Sequence, residues 1–227
     1  MTKPASPDTP GQISLLNEVR RKLIHLSSVG VPLIYWFVPQ ETMLALLIPA
    51  TFLSLIIEVL RRRYKGFEAW FLSIFGPILR PHESRDSPKV NGATFVLVSA
   101  TICVALFPKL IAITAFTVLI ISDTASALYG RRFGTRKFYR KSLEGSLAFL
   151  VTAMMVVGLY TWLGGAPWEF VAAGFVASLV ATWVEAISHG GSTIDDNLSI
   201  PSAFGATMWG VLGIMWQMGF DGVGAFI

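Results

Sequence analysis

The apolar runs of this chain are too long to be the faces of a water-soluble fold. Residues 43–60, 109–129, 144–163 and 168–187 are almost wholly apolar, and a helix needs roughly 20 such residues to cross a bilayer. Three further runs, 23–38, 92–107 and 201–220, read as spans too. The first and third of the seven, 23–38 and 92–107, are short and carry Ser, Thr or Gly. Polar cover for a soluble surface is lacking as well: 14% of the 227 residues are charged and 53% are hydrophobic. A soluble domain carries about 25% charged residues. The same figures exclude a disordered chain. The expected fold is therefore all-α, a polytopic membrane bundle of about seven transmembrane helices. Residues 1–17 are polar and Pro-rich and read as a loose tail, with one membrane-embedded domain over 18–227. No small-residue cleavage site marks a signal peptide, so the first apolar run is expected to stay in the membrane. The single cysteine, Cys103, lies in an apolar run and reads as a buried, inert thiol.

The basic residues sort by loop. Of the 18 Lys and Arg, 17 fall in the N-terminal flank, between the second and third spans, or between the fourth and fifth. Lys109 alone falls on the other side. The positive-inside bias then puts the N-terminus and the even-numbered loops in the cytoplasm and the C-terminus outside. The stretch 61–91 opens with Arg61-Arg62-Arg63, and its segment Phe67–Leu79 is too short to span. It is expected to lie in the interface as an amphipathic helix. Attraction to anionic headgroups explains part of the basic face, but not the acids set among the bases.

Asp123 stands inside the fourth span, Glu144 opens the fifth and Glu185 closes the sixth. Asp195, Asp196 and Asn197 follow in the last loop. All belong to the same membrane surface in this topology. Intramembrane acids pair with a base, face a cavity or hold a metal. Carboxylates with an amide oxygen suit Mg²⁺ bridged to phosphates. Blander roles stand beside these: Asp123 pairing with a basic residue of a neighbouring helix, Glu144 serving the helix dipole, Glu185 snorkelling, and one of Asp195 and Asp196 in a solvated turn. Glu58 has Arg61 and Arg62 at i+3 and i+4 and reads as an intrahelical ion pair. His25, beside Arg21-Lys22, reads equally as structural or functional. Ser122, Ser126 and Gly130 form a small-residue line suited to close helix packing.

The loop Gly130-Arg131-Arg132-Phe133-Gly134-Thr135-Arg136-Lys137 leads to Lys141-Ser142-Leu143-Glu144-Gly145-Ser146. Glycines, bases and a helix N-terminus suit a bound polyanion such as a nucleotide. It is not a Walker loop, since no G-x-x-x-x-G-K-[ST] is present.

These runs, with Arg21-Lys22-x-x-His25 before them and Glu185-Ala186 and Asp196-Asn197-Leu198-Ser199-Ile200-Pro201 after, resemble the dolichol kinase/phytol kinase/CTP-dependent diacylglycerol kinase family over most of residues 18–210. The pattern is also similar to CDP-diacylglycerol synthases. The resemblance implies a multi-pass integral membrane enzyme with its active site on the cytoplasmic face. It would use CTP and Mg²⁺ to phosphorylate a lipid alcohol such as a polyprenol, phytol or diacylglycerol, with no nucleic-acid partner. By that resemblance Asp123, His25, Glu144 and Lys141 carry the chemistry. Gly130, Arg131, Gly134, Lys137, Lys141, Ser142, Gly145 and Ser146 hold the nucleotide together with Arg21 and Lys22. Asp123, Glu185, Asp196 and Asn197 are the metal candidates. The proton acceptor stays open between Asp123 and His25. The nearest alternative is a cytidylyltransferase that makes a CDP-lipid. A transporter ranks below it, because the acids gather on one face.

Overall fold

A computed structural model describes residues 22–75, 91–188 and 195–227. The tail expected over 1–17 and Arg21 lie outside the described residues. After a helical run at 22–27 come α1 (Gly30–Phe37), α2 (Gln40–Arg63), α3 (Lys65–Phe75), α4 (Gly92–Leu106) and α5 (Lys109–Phe133). A small hairpin, β1 (Lys137–Phe138) and β2 (Lys141–Ser142), leads to α6 (Leu143–Gly164), α7 (Trp168–Ile187), α8 (Asp196–Gln217) and a closing 3-10 turn, Asp221–Phe226. The fold is an all-α bundle, as the apolar runs require.

Among the described residues five helices are long and apolar enough to cross a membrane: α2, α5, α6, α7 and α8. The protein is an integral membrane protein. Two of the seven expected spans fall short of that standard. α4 has 15 residues. The run 23–38 is broken, because the chain tightens at Ser28 and Val29, whose N–H groups donate to His25 and Leu26 three residues back. Ser27 Oγ also donates to the Ile24 carbonyl at 2.6 Å, a local bond that competes with regular helix. The last span begins earlier than the expected 201. Asp195 caps α8 by accepting from Asn197 N at 2.9 Å, so Pro201 sits within the helix and not at its start. Having no N–H, Pro201 leaves the Asn197 carbonyl without its helical donor.

α5 lies at the centre, packed against α6, α8, α4 and α1. Ten consecutive residues, Ile111 to Ile120, are buried on all sides of the helix, the pattern of a helix surrounded by others. α2 is peripheral. Thr51 and Thr101 (2.8 Å) and Ser54 and Thr94 (2.6 Å) bond it to α4. Its outward Phe52, Leu53, Ile56 and Val59 are exposed, a lipid-facing stripe. Glu58 accepts from Arg61 at 2.8 Å and from Arg62 at 2.9 Å, the intrahelical pairing that the spacing implies. α3 folds back so that buried Phe71 lies under the Arg61 guanidinium, 5.5 Å from its ring centre. Residues 76–79 of the expected interfacial segment lie outside the described residues.

The two ends of the bundle differ. At one end the helices are joined by turns through Val38-Pro39, Phe107-Pro108 and Gly165-Ala166-Pro167. Val38 (φ −111°, ψ 153°) and Phe107 (φ −102°, ψ 147°) are extended, as a following proline demands. Gly165 closes α6 at φ +61°, a left-handed position where glycine carries no side-chain penalty. Lys109 lies here, donating to the Val38 carbonyl at 3.0 Å and resting 5.4 Å from the Tyr35 ring centre. The opposite end carries the hairpin and the Arg61–Arg63 run. Cys103 is fully buried in the core.

Candidate active site

Four chain segments that are remote in sequence bring charged groups together at the hairpin end. The 22–27 run supplies Lys22, α5 supplies Asp123, β2 supplies Lys141 and α7 supplies Glu185. Lys22 Nζ donates to Asp123 Oδ2 at 2.5 Å and reaches the Asp123 carbonyl at 3.4 Å. Both side chains are buried, 5% and 9% exposed. Lys141 Nζ donates to Glu185 Oε1 at 2.5 Å and stands 4.0 Å from Asp123 Oδ1. Lys141 thus sits between two carboxylates. Burial disfavours its charge, but Asp123, Glu185 and Asp196 outweigh that and hold its pKa above the ordinary lysine value. His25 lies close to Asp123.

Glu185 is fully buried and does not snorkel. Besides Lys141 it accepts from Ser126 Oγ at 2.7 Å and Ser146 Oγ at 3.3 Å. Donors from α5, β2 and α6 therefore converge on one carboxylate of α7. Charge-assisted bonds of this kind are the stronger class of hydrogen bond. Ser126 reads in sequence as a packing residue; its role as a donor needed the register between α5 and α7. Ser146, expected at a nucleotide, is committed to Glu185.

The small-residue line performs the expected packing. A Cβ on Gly145 would lie 3.0 Å from the Ser126 carbonyl and 3.2 Å from Gly130 Cα, and one on Gly130 would lie 2.8 Å from Ser142 Oγ. α5 and α6 therefore touch backbone to backbone at their hairpin ends. Backbone donation to an anion from Gly134 and Gly145 is a different matter. Gly134 N donates to the Gly130 carbonyl at 2.9 Å, and Gly145 N donates to Ser142 Oγ at 3.1 Å. Ser142 is thus the N-cap of α6. These glycines close a seam.

Glu144 stands apart from the four-charge cluster. It accepts from Thr135 Oγ1 at 2.6 Å and from Arg136 N at 3.3 Å, tying the loop to the start of α6. The hairpin is fixed on its other side by Arg140 N donating to the Ala186 carbonyl at 3.2 Å. That bond sets Lys141 beside Glu185. Arg131 and Lys137 are exposed on the rim. Asn197 is buried, and its side-chain nitrogen donates to Asp195 Oδ1 at 2.6 Å. Burial and the adjacent Asp196 carboxylate push Asp195 up to about 6.

Among the described residues no three His, Cys, Asp or Glu side chains are grouped to hold a metal. Mg²⁺ is commonly held by one or two carboxylates plus substrate phosphates. Asp123 Oδ1, with only a loose 4.0 Å approach from Lys141, fits that mode of binding. Glu185, engaged by three donors, does not.

Along the α5–α6 seam runs an apolar groove of about 640 Å³. Ala125, Leu128 and Phe133 face Leu147, Ala148 and Val151 across it, with Arg132 and Glu144 also in its lining.

No family model matches the chain, and no solved structure matches it. Over 213 residues it is 26% identical to CTP-dependent diacylglycerol kinase 1 of Saccharomyces cerevisiae, covering 84% of this chain and 72% of that protein. Over 187 residues it is 32% identical to the uncharacterized protein RP860 of Rickettsia prowazekii, covering 82% of this chain and 91% of that protein. A match of that identity, running through nearly the whole of the Rickettsia protein, makes this chain a member of the RP860 family.

Proposed function

We propose that the protein is a multi-pass lipid kinase that transfers the γ-phosphate of CTP to the hydroxyl of a membrane lipid alcohol. One observation carries this reading: Lys22, Asp123 and Lys141, from three separate sequence blocks, meet at the basic end of the bundle. The distant likeness to a CTP-dependent diacylglycerol kinase supports it. By the positive-inside bias that end faces the cytoplasm.

In phosphoryl transfer a protein mainly positions groups and neutralises charge. Lys22 and Lys141 take the β- and γ-phosphates, and rim residues Arg131 and Lys137 meet the rest of the nucleotide. Mg²⁺ supplies further neutralisation of the phosphates when bound, with Asp123 and Asp196 as the residues to hold it. The lipid lies with its chain along the α5–α6 groove and its hydroxyl at the hairpin end. Its oxygen bonds to the γ-phosphorus while the bond from that phosphorus to the bridging oxygen breaks, and CDP leaves. With Asp123 assigned to the metal and to Lys22, His25 in its neutral form receives the hydroxyl proton.

The test uses purified protein in lipid vesicles with CTP labelled at the α or γ phosphate and a panel of lipid alcohols. Label from the γ position should enter the lipid, and Asp123→Asn should lower the rate by at least about 100-fold while the protein still elutes as a folded species. Transfer of the α label with release of pyrophosphate would replace the kinase with a CDP-lipid synthase. Wild-type turnover in Asp123→Asn would remove the site.

A further inference from the structure

We infer that Glu185 is a positioning residue for Lys141, not a metal ligand: it anchors the ammonium group away from Asp123 so that Lys141 stays available to a phosphate. The inference rests on the lipid-kinase reading for its kinetic consequence and on geometry alone for the clamp itself.

The asymmetry of the Lys141 contacts carries the argument. Lys141 Nζ is 2.5 Å from Glu185 and 4.0 Å from Asp123. An ammonium between two carboxylates at comparable reach settles on the one better built to receive it. Glu185 is built to do so. It is 0% exposed, and hydroxyls of Ser126 and Ser146 fix both of its oxygens. A carboxylate so placed cannot swing out to follow a ligand. Lys141 is 28% exposed, so its other face opens toward the solvent end. Lysine is a compact point charge with three donors. One donor spent on Glu185 leaves two for an anion.

Asp123 already has Lys22 at 2.5 Å. A second lysine in full contact would close both of its oxygens. Glu185 prevents this by holding Lys141 back. Without the Glu185 charge, Lys141 falls onto Asp123 Oδ1, and an incoming nucleotide must break that pair before it can bind.

Glu185→Gln keeps the size of the side chain and an oxygen for a serine hydroxyl but removes the charge. Expected for this variant are a KM for CTP raised about tenfold, kcat lowered at least about tenfold, and an unchanged KM for the lipid. The melting temperature should stay within a few degrees of wild type. Glu185→Asp, which keeps the charge, should recover part of the loss. A second readout does not depend on turnover. Acylation of Lys141 by acetic anhydride, measured by mass spectrometry against Lys137, should be several-fold higher in the double variant Asp123→Asn/Glu185→Gln, where neither carboxylate can hold the ammonium, than in Asp123→Asn alone, where Glu185 still does. Unchanged acylation overturns the clamp whether or not the wild type phosphorylates lipid. Equal losses in CTP and lipid KM with a lowered melting temperature in both single Glu185 variants also overturn it, since they mark a purely structural carboxylate. If the wild type fails to transfer phosphate but Lys141 acylation rises, the kinase reading falls and the clamp stands.

Discussion

Removing Lys22 should destabilise the bundle, and most of that loss should vanish when Asp123 is neutralised as well. The perturbation is Lys22→Met, which keeps the stem and deletes the ammonium. At an effective dielectric of about 20, charges at the 2.5 Å of the Lys22–Asp123 pair attract by about 7 kcal/mol, and at the 4.0 Å of the Lys141–Asp123 pair by about 4 kcal/mol. Lys22 recovers part of its own desolvation cost when it is deleted, so the net effect is smaller. Breaking a buried pair with no other compensation costs about 3–5 kcal/mol. Here Lys141 remains as a second cation, which brings the expected loss to about 2 kcal/mol. The assay is reversible unfolding in mixed detergent micelles, followed by tryptophan fluorescence, for wild type, Lys22→Met, Asp123→Asn and the double variant. The cycle should give a coupling energy of at least about 1.5 kcal/mol, within the range for residues in direct contact. A coupling below about 0.5 kcal/mol, the scatter of independent sites, would refute the view that this pair holds the N-terminal run onto α5.

Two further outcomes follow from the packing and the charge layout. Gly145→Ala should cost about 1–3 kcal/mol, because its Cβ presses on the Ser126 carbonyl at 3.0 Å; Gly158→Ala, with nothing within 4 Å, should be neutral or stabilising by up to about 1 kcal/mol in the same unfolding assay. Asp195, pushed up to about 6 by burial and by Asp196, binds its proton more tightly folded than unfolded. Its contribution is therefore fully present below the unfolded value near 4 and is lost as pH rises through about 6. The difference in stability between wild type and Asp195→Asn should change by about 2–3 kcal/mol across that window, and a pH-independent difference would refute the shift.

The long helices were legible because hydrophobic length alone dictates them. α5, α6 and α7 match their apolar runs to within a few residues. The breaks were not legible, since they depend on local competition. Ser27 and Ser28 divert the first run into a turn, and the Asp195 cap lets α8 begin ahead of Pro201. That acids and bases gather at one end of the bundle was legible, because such groups at a membrane edge are costly and conspicuous. Their pairing was not. Lys22 and Asp123 are 101 residues apart, and only the packing of the N-terminal run against α5 brings them together. The bland reading of Asp123, a partner on a neighbouring helix, is what this structure contains. For the same reason Glu185 read as a ligand, when its three donors lie on three different elements.

The proline turns at the far end bear on how such a chain enters a membrane. α4 and α5 are joined through Phe107-Pro108, and α6 and α7 through three residues ending in Pro167. Each pair is a helical hairpin whose partners meet through contacts close in sequence, the class of contact that forms fastest. A connection carried through hydrocarbon costs least when it is short and carries little charge. The only basic residue beside these turns is Lys109, which rests on the Val38 carbonyl and the Tyr35 ring. The hairpins are thus suited to insertion as paired units, tips first, while the basic residues at their open ends stay behind.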